Sequence, residues 1–416
     1  MTRQLSVALV SRSNAGGGGA SRIAEEQAEW LLAAGSQVVH FCAFPLGSLK
    51  SFQKPLFPRG LAGKLTRLTH RCTRQLGFNE LLPVEFYTTL RSALNTFDVI
   101  HFHDLHSAIA PFTMQLCSRK KPVVVTAHDC SCFTGGCIYP LNCESYMKSC
   151  GNCPQLPALT ARLDFTPTNL RINRWLARQT RVHYVFPSRW LHDTASRSLR
   201  LDKNASVIPN GFSSKSYHFR SKAEARRELG IRDEKRVVLV AAHFLGEPRK
   251  GLDFALAALR AAADLTPLVI FVGIPPADIE VRLPDVRFWL TGYVNDRRRL
   301  GLLFAAADVF LFPSLQDNLP IMIQEALAAD TPVVGFAAGG VVEMVDHGRT
   351  GWLCPPGDQP RLNLLLREAL VQEDLTECGR AAQEWVRARY DPDVAGQRHL
   401  ALYEKLADGK ESCQLC

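Results

Sequence analysis

Long apolar runs are missing from this chain of 416 residues. No stretch approaches the roughly 18 consecutive apolar residues that a membrane helix needs. The opening MTRQLSVALV runs into glycines and lacks the apolar core of a signal peptide. We therefore expect a cytoplasmic protein. Because a single core rarely grows beyond about 250–300 residues, we also expect two domains.

Acidic residues are fewer than basic ones, 40 against 49, and the net charge is +9. Such an excess suits a nucleic acid, an anionic membrane or a phosphorylated ligand. The clearest basic cluster is Lys64, Arg67, Arg71 and Arg74, whose spacing places them on one helical face. That face is either an ordinary solvated surface or one that lies on anionic lipid. Aromatic residues are not interleaved with the basic ones, so we expect no nucleic-acid partner.

The 13 cysteines are an odd number without a secretion signal, which argues against a disulfide framework. Four of them, Cys137, Cys143, Cys150 and Cys153, lie within 17 residues and end in Cys-x-x-Cys. Four thiols in this spacing predict a structural zinc site with tetrahedral coordination. Free or redox-active thiols and an iron–sulfur cluster are the alternatives.

Buried strand patterns alternate with helical ones in both halves, which predicts two α/β domains with parallel sheets. Turn residues at 206–212 interrupt the alternation, so we place the domains at residues 1–205 and 206–390. The first domain includes a Cys-rich loop at 128–154. We expect residues 391–416 to form a C-terminal helix and tail that pack back toward the first domain.

A glycine loop at residues 16–19 follows the first predicted strand and suits the approach of backbone amides to a phosphate or a sugar. A dinucleotide-binding unit needs an acidic residue at the end of its second strand. That strand ends here in His40, Phe41 and Cys42. A nicotinamide-dependent oxidoreductase is therefore disfavoured, and a turn that binds nothing is the other alternative.

Two acidic residues and a pair of glycines lie at predicted loops and helix starts of the second half. Asp317 and Glu325 lie eight residues apart across a predicted loop–helix junction, and Asp317 or Asn318 is expected to cap the helix. Two carboxylates so placed can bind different hydroxyls of one polyol, and the helix N-terminus favours a phosphate. Gly339 and Gly340 follow the next strand and allow a close approach of backbone. Each acid alone is also a plausible partner of a helix dipole.

Arg249 and Lys250 follow a predicted strand and open a helix, in the segment Pro-Arg-Lys-Gly. Cations at a helix N-terminus are electrostatically unfavourable unless an anion lies beside them. A diphosphate would supply that anion, with Arg249 giving a forked contact and Lys250 a point charge. A solvated loop is the alternative.

Taken together, the motifs of the chain resemble family-4 glycosyltransferases over nearly its whole length. The Cys-rich segment, which begins His-Asp and continues Ser-x-Phe-Thr-Gly, is similar to exopolysaccharide transferases of the colanic-acid type. The motifs that carry the resemblance are Asp317-x7-Glu325, Gly339-Gly340-x-x-Glu343, Arg249-Lys250-Gly251 and Ile208-Pro209-Asn210-Gly211.

The resemblance implies a GT-B fold, in which two Rossmann-like, doubly wound parallel-sheet domains face each other across a cleft. It implies a nucleotide-sugar donor of the UDP or GDP type, held mainly by the second domain. Arg249 and Lys250 would bind its diphosphate, and Glu325 its ribose. The backbone near Tyr293 and Val294 would meet the base.

The same resemblance implies which residues act at the transferred sugar. The catalytic residues that it implies are His128, which would contact the transferred sugar, together with Asp317 and Lys250. Asp317 stands where the family usually has Glu, and Arg249 substitutes for an arginine that the family carries earlier in the loop. The remaining donor-binding residues that the resemblance implies are Gly17, Gly18, Gly19, Asn318, Leu319, Gly339 and Gly340.

The activity implied is that of a hexosyltransferase that acts, with retention of configuration, on a saccharide or polyprenyl-linked saccharide acceptor. Its product would belong to an extracellular or surface polysaccharide, and the enzyme would be cytoplasmic and peripheral at the inner face of the membrane. Its chemistry would need no metal. A zinc-bearing nucleic-acid-binding protein and a nicotinamide-dependent oxidoreductase are the alternatives from other classes.

Overall fold

A computed structural model describes residues 4–57, 60, 63–64, 68–69, 72, 82–103, 108–156, 164–178, 181–201, 204–232 and 236–409. The chain divides into two compact units, one formed by residues 1–211 with 392–416 and the other by residues 212–391. Of the predicted basic cluster, Lys64 is exposed. Its other three members, Arg67, Arg71 and Arg74, lie outside the described residues.

The first unit is built on a seven-stranded parallel sheet, whose valine-rich strands are buried on both faces. Its strands are β1 (Ser6–Ser11), β2 (Gln37–Cys42), β3 (Gln53–Pro55), β4 (Val99–His103), β5 (Val123–Thr126), β6 (Val182–Phe186) and β7 (Ala205–Val207). They lie in the order β3-β2-β1-β4-β5-β6-β7.

Helices cover this sheet, and the last of them comes from the end of the chain. The helices are Gly19–Ala33, Arg91–Ala93, Pro111–Ser118, Thr166–Leu176, Arg189–Ser196 and Pro392–Ala407, with a π-helical turn at Phe86–Leu90. The indole Nε1 of Trp30 donates to Asp393 at 2.8 Å, which ties the first helix to the last. Within the described ranges, no helix combines the length and apolar character that a bilayer crossing demands.

The second unit is built on a six-stranded parallel sheet in the order β10-β9-β8-β11-β12-β13. Its strands are β8 (Val237–Phe244), β9 (Leu268–Ile274), β10 (Phe288–Leu290), β11 (Val309–Phe312), β12 (Val333–Phe336) and β13 (Gly351–Cys354). Its helices are Lys222–Glu228, Leu252–Ala261, Ile279–Arg282, Arg297–Ala306, Ile321–Ala328, Val341–Met344, Gln359–Val371 and Thr376–Arg389.

The strand order reverses direction once in each sheet. β1 lies between β2 and β4, and β8 lies between β9 and β11. At such a point the connections leave the carboxyl ends of neighbouring strands on opposite faces, which opens a crevice for ligands. A ligand-binding site is therefore expected among the residues that follow β1, β4, β8 and β11.

Candidate active site

Three loops of the second unit meet because the strands before them are neighbours. β8, β11 and β12 lie side by side, and a loop and a helix follow the carboxyl end of each. The loops span residues 245–251, 313–320 and 337–340. Carboxyl ends of parallel strands share one edge of a sheet. Residues far apart in sequence therefore lie together here.

Asp317 is the centre of the contacts between two of these loops. Nζ of Lys250 lies 2.7 Å from its Oδ2, and Nη1 of Arg249 lies 3.0 Å from its Oδ1. Oγ of Ser314 also donates to Oδ2, at 2.9 Å. Burial acts to raise the pKa of Asp317, but the two cations and the hydrogen bonds outweigh it and lower the pKa. The charged carboxylate holds both cations in place.

The protein itself supplies the anion that the sequence predicts beside Arg249 and Lys250. The two residues end a 3-10 turn, Pro248–Lys250, directly before the helix Leu252–Ala261. Asp317 pairs with both, so their position alone does not require a diphosphate. The same pairs keep Asp317 away from the helix that it was expected to cap. Pro320 occupies that N-cap position, and the capping prediction for Asp317 and Asn318 is wrong.

Backbone contacts fix the three loops against one another. The N–H of Leu315 donates to the carbonyl of Arg249 at 2.8 Å, and the N–H of Gly340 donates to the carbonyl of Asp317 at 2.9 Å. Gly339 has a φ of +63°, and a Cβ on it would lie 2.0 Å from the carbonyl oxygen of Asp317. Only glycine fits there. The close approach predicted for this pair of glycines thus includes one to the backbone of Asp317.

Glu325 lies on the helix Ile321–Ala328 and is buried. Oη of Tyr217, a fully buried side chain, donates a hydrogen bond of 2.5 Å to its Oε1. A hydrogen bond to a carboxylate is among the stronger ones in proteins, so this contact fixes the direction of Glu325. Sequence reasoning missed Tyr217, because it stands 108 residues away and in no motif.

The other residues that the sequence assigns to this unit's part of the site differ in exposure. Asn318 and Leu319 are buried beside Asp317, and Glu343 is half-buried on the short helix Val341–Met344. Tyr293 and Val294 follow β10, and Tyr293 is exposed.

Tyr293 belongs to an exposed aromatic surface of the second unit. Its ring centroid lies 4.7 Å from that of His243, which in turn lies 4.4 Å from the ring of Phe244. Phe244 is 53% exposed. Exposed rings of this kind can stack on a base.

In the first unit, two histidines lie at the carboxyl edge of the sheet. His103 ends β4, and His128 follows the neighbouring strand β5. Nδ1 of His103 lies 3.0 Å from Nε2 of His128, and the rings are stacked with centroids 5.3 Å apart. Burial, with a smaller effect of His399, lowers the pKa of His128 to about 3. His128 is therefore neutral at physiological pH.

The glycine loop follows β1 at the same edge of the first sheet. Gly17 ends a 3-10 turn, and Gly18 leads into the helix that begins at Gly19. The backbone N–H of Ala15 donates to Oε2 of Glu25 at 2.7 Å, and this buried carboxylate also pairs with Lys50. The loop is thus held in one conformation by the helix that follows it.

The four cysteines of the predicted zinc site are half-buried free thiols. Burial is the main reason why the pKa of Cys137 rises to about 11, and Cys153, Cys150 and Cys143 add to the rise. Among the described residues, however, no three His, Cys, Asp or Glu side chains are arranged to hold a metal ion. The predicted zinc site is not formed in this arrangement.

Comparison with protein families gives a match in each unit. Residues 17–215 match the family described as Glycosyltransferase Family 4. Residues 235–370 match the family described as Glycosyl transferases group 1. The matched ranges include Gly17–Gly19 of the glycine loop and His128 in the first unit, and Lys250 and Asp317 in the second.

Curated relatives include enzymes of polysaccharide biosynthesis. The chain is 25% identical over 302 residues to the putative colanic acid biosynthesis glycosyl transferase WcaC of Escherichia coli (strain K12), which covers 70% of this chain and 67% of WcaC. It is 32% identical over 108 residues to the amylovoran biosynthesis glycosyltransferase AmsK of Erwinia amylovora, which covers 24% of this chain and 26% of AmsK. Further relatives are matched over 14% to 56% of their own length, so the chain spans only part of most of the curated relatives that it matches.

Solved structures share the fold across the whole chain. Sucrose-phosphate synthase from Thermosynechococcus elongatus superposes with a TM-score of 0.74 at 20% identity, over 98% of this chain and 100% of that one. HepE from Anabaena, solved with UDP, gives 0.68 at 18% identity, over 97% and 100%. The predicted GT-B fold with two Rossmann-like units is confirmed. Both units thus match glycosyltransferase families by sequence, Family 4 in the first and group 1 in the second, and the chain has the GT-B fold.

Proposed function

We propose that this protein is a hexosyltransferase that moves a sugar from a nucleotide-sugar donor to a saccharide acceptor. The observation that carries the proposal is the buried contact of Asp317 with Lys250 and Arg249, which keeps two cations oriented at the carboxyl edge of the second sheet. The family matches in both units support it. So does the fold shared with HepE, a protein solved with UDP and with UDP-glucose.

The second unit would hold the donor. When the bond between sugar and diphosphate breaks, negative charge develops on the leaving diphosphate, and fixed cations stabilise that charge. Lys250 and Arg249 would play this part, and Glu325, aimed by Tyr217, would accept hydrogen bonds from the ribose. The remaining donor contacts that we propose are those of Tyr293, Val294, Asp317, Asn318, Leu319, Gly339 and Gly340, with UDP or GDP as the nucleotide.

The first unit would act on the sugar side of the reaction. Its glycine loop, Gly17, Gly18 and Gly19, offers backbone at the carboxyl edge of the sheet. A neutral His128 can exchange hydrogen bonds with a sugar hydroxyl but cannot deliver a proton as imidazolium at physiological pH. We therefore assign His128 to binding and orientation of the transferred sugar, and residues 1–205 to the acceptor side.

The acceptor that we propose is a growing surface polysaccharide or its polyprenyl-linked precursor, and the configuration is retained. The names of WcaC and AmsK support a polysaccharide product. A lipid-linked acceptor would bring the enzyme to an anionic membrane surface at the inner face of the membrane.

A panel of UDP- and GDP-sugars tests the proposed activity. Donor hydrolysis or transfer is measured for the wild type, Lys250→Ala and Glu325→Ala, with Lys215→Ala as an exposed lysine control in the same unit. We expect one donor to be turned over, and both site variants to lose at least about 100-fold in kcat/KM. Unchanged turnover in both site variants would overturn the proposal.

We propose separately that the cysteine loop takes up zinc after a local rearrangement. Its support is the presence of four free thiols within residues 137–153. Elemental analysis of purified protein should give about one zinc per chain, and Cys150→Ser should lower it. Zinc-free wild-type protein would refute this proposal and leave the proposed transferase activity unaffected.

A further inference from the structure

We propose that His40 is a positioning residue for the glycine loop, because its ring orients the hydroxyl of Ser11 that holds Ser13 of the loop. The consequence for transfer rests on the proposed function, whereas the hydrogen bonds are a property of the first unit alone. His40 lies on β2 and is fully buried, and the glycine loop follows the neighbouring strand β1. His40 can therefore reach the loop from beneath the surface of the unit.

Ser11 is the last residue of β1, and its side chain joins His40 to the loop. Oγ of Ser11 lies 2.5 Å from the carbonyl oxygen of Ser13 and 2.7 Å from Nε2 of His40. A carbonyl only accepts, so the single hydroxyl hydrogen of Ser11 lies in the contact with Ser13. The contact with His40 needs a hydrogen of its own, which Nε2 supplies. Sγ of Cys42, 3.7 Å from the same nitrogen, is a weaker acceptor.

Gln53 completes the assignment at the other ring nitrogen of His40. The N–H of Lys50 donates to Oε1 of Gln53 at 3.1 Å, and Nε2 of Gln53 donates to Oε2 of Glu25 at 2.8 Å. These two contacts orient the side-chain amide and leave its second hydrogen for Nδ1 of His40, at 3.2 Å. Nδ1 therefore accepts, and His40 carries its proton on Nε2. Both ring nitrogens have a partner in this one tautomer.

Ser13 packs directly against the glycines of the loop. A Cβ on Gly17 would lie 2.1 Å from Cβ of Ser13, so the two residues are in close contact. The N–H of Gly17 donates to the carbonyl of Asn14 at 2.8 Å, and the N–H of Ser13 donates to Oγ of Ser21 at 3.1 Å. A displacement of Ser13 would therefore move the 3-10 turn Ala15–Gly17 as well.

Gln53 also links His40 to a second contact with the loop. Oε2 of Glu25 accepts from Nε2 of Gln53 at 2.8 Å and from the N–H of Ala15 at 2.7 Å. The loop is thus held at the carbonyl of Ser13 and at the N–H of Ala15, two residues apart. Because one buried amide joins both contacts, the conformation of the loop depends on His40 as well as on Glu25.

The glycines that this network supports are accessible at the carboxyl edge of the sheet, and Gly16, Gly18 and Gly19 are exposed. In the proposed function their backbone contacts the donor, and a displacement of about 1 Å in such a group can cost about 100-fold in rate. Without the N–H of His40, Ser11 would lose the donor that orients its oxygen. Since His40 is fully buried, it acts on turnover only through the loop.

The proton position is tested by long-range ¹H–¹⁵N spectra of the full-length protein labelled with ¹⁵N-histidine, at neutral pH and without donor. The ring signals of His40 are assigned by their loss in His40→Gln. We expect Nε2 of His40 to resonate as a protonated nitrogen and Nδ1 as an unprotonated one. A protonated Nδ1 with a bare Nε2 would overturn the proposal.

Hydrogen exchange of the peptides that cover residues 12–19, followed by mass spectrometry, tests the position of the loop. The amide nitrogen of His40→Gln lies near the position of Nε2 and can still donate to Ser11, whereas that of His40→Asn lies near the position of Nδ1. We expect exchange to become about tenfold faster in Ser11→Ala and in His40→Asn, and less than about threefold faster in His40→Gln. Unchanged exchange in Ser11→Ala and His40→Asn would overturn the proposal.

His183→Asn is the matched control for the exchange measurement. His183 is a buried histidine on β6, three strands from β1, and its Nε2 lies 2.7 Å from Oγ of Ser206. Its substitution removes a similar contact from the same sheet and should leave exchange at residues 12–19 as in the wild type. Equally fast exchange at these residues in His183→Asn would show a general loosening of the unit and contradict a specific role of His40.

Kinetics of the two His40 variants connect the loop to transfer. We expect kcat/KM for the donor to fall about tenfold in His40→Asn and by less than about threefold in His40→Gln, with similar melting temperatures. Equal losses in the two variants would contradict a positioning role. If no nucleotide sugar is turned over but the tautomer and the exchange are found as expected, the proposed function fails and the support of the loop by His40 stands.

Discussion

Nζ of Lys250 lies 2.7 Å from Oδ2 of Asp317, and this ion pair joins the loop after β8 to the loop after β11. Both side chains are largely buried, at 19% and 8% exposure. Charges taken out of water in this way depend on each other, since removing one leaves the other uncompensated. The pair is therefore the part of the candidate site where stability and function are most closely linked.

Asp317→Asn should destabilise the protein by about 3 kcal/mol, because Lys250 and Arg249 lose their buried counter-charge. Urea unfolding at neutral pH measures the loss. Asp278→Asn is the matched control, since Asp278 is 64% exposed and lies 4.0 Å from its arginine partner. It should change stability by less than about 1 kcal/mol. Equal effects of the two substitutions would show that the buried ion pairs of Asp317 contribute no more to stability than an exposed ion pair does.

Tyr217→Phe removes only the hydroxyl that donates to Glu325. A hydrogen bond to a charged group contributes about 1.5–3 kcal/mol, and the buried carboxylate would lose its fixed direction. We expect a fall in unfolding free energy of that size and about a tenfold higher KM for the donor, with kcat less affected. Tyr87→Phe, at a side chain that is 61% exposed, serves as the control. An unchanged KM would show that Tyr217 does not contribute to donor binding.

Gly339→Ala tests the close approach of loop 337–340 to Asp317. Its added Cβ would lie 2.0 Å from the carbonyl oxygen of Asp317, at a φ of +63°. Gly348 has a similar φ, +82°, but open space around its missing Cβ. Gly348→Ala therefore costs about 1 kcal/mol of backbone strain alone. We expect Gly339→Ala to cost several times more in unfolding free energy, and equal losses would contradict the importance of the contact.

The two parallel sheets could be predicted from the sequence because their central strands are valine-rich runs separated by helical segments. Three strands escaped prediction: β3, β7 and β13. Each is three or four residues long and lies at an edge of its sheet. Such strands are held by backbone pairing with one neighbour more than by an apolar pattern, and the sequence carries little signal of them.

The candidate site was predictable as a set of residues but not as a set of contacts. Motif spacing singled out Asp317, Lys250 and Glu325. It did not show that Asp317 and Lys250, 67 residues apart in sequence, form an ion pair. That pair forms because β8 and β11 are neighbours in the sheet.

The buried histidines of the first unit make stability depend on pH. His40 on β2 lies 2.7 Å from Oγ of Ser11 and accepts at Nδ1 from Gln53 at 3.2 Å. Burial lowers the pKa of His40 to about 4, although Glu25 acts to raise it. In the unfolded chain the pKa returns to about 6.5. Between these values the unfolded state binds more protons, so acid weakens the fold.

The difference between the two pKa values of His40 determines the direction of the stability change and the pH range in which it occurs. The contribution of neutral His40 is complete above pH 6.5, falls by at most about 1.4 kcal/mol per pH unit below it, and levels off below about pH 4. His40→Gln cannot titrate and should flatten the dependence by about that slope in urea unfolding at pH 7, 6 and 5. A slope in His40→Gln equal to that of the wild type would mean that folding does not lower the pKa of His40. Its ring would then be protonated at pH 5 in the folded protein, and its contact with Gln53 would have to run in the opposite sense, from Nδ1–H to the amide oxygen.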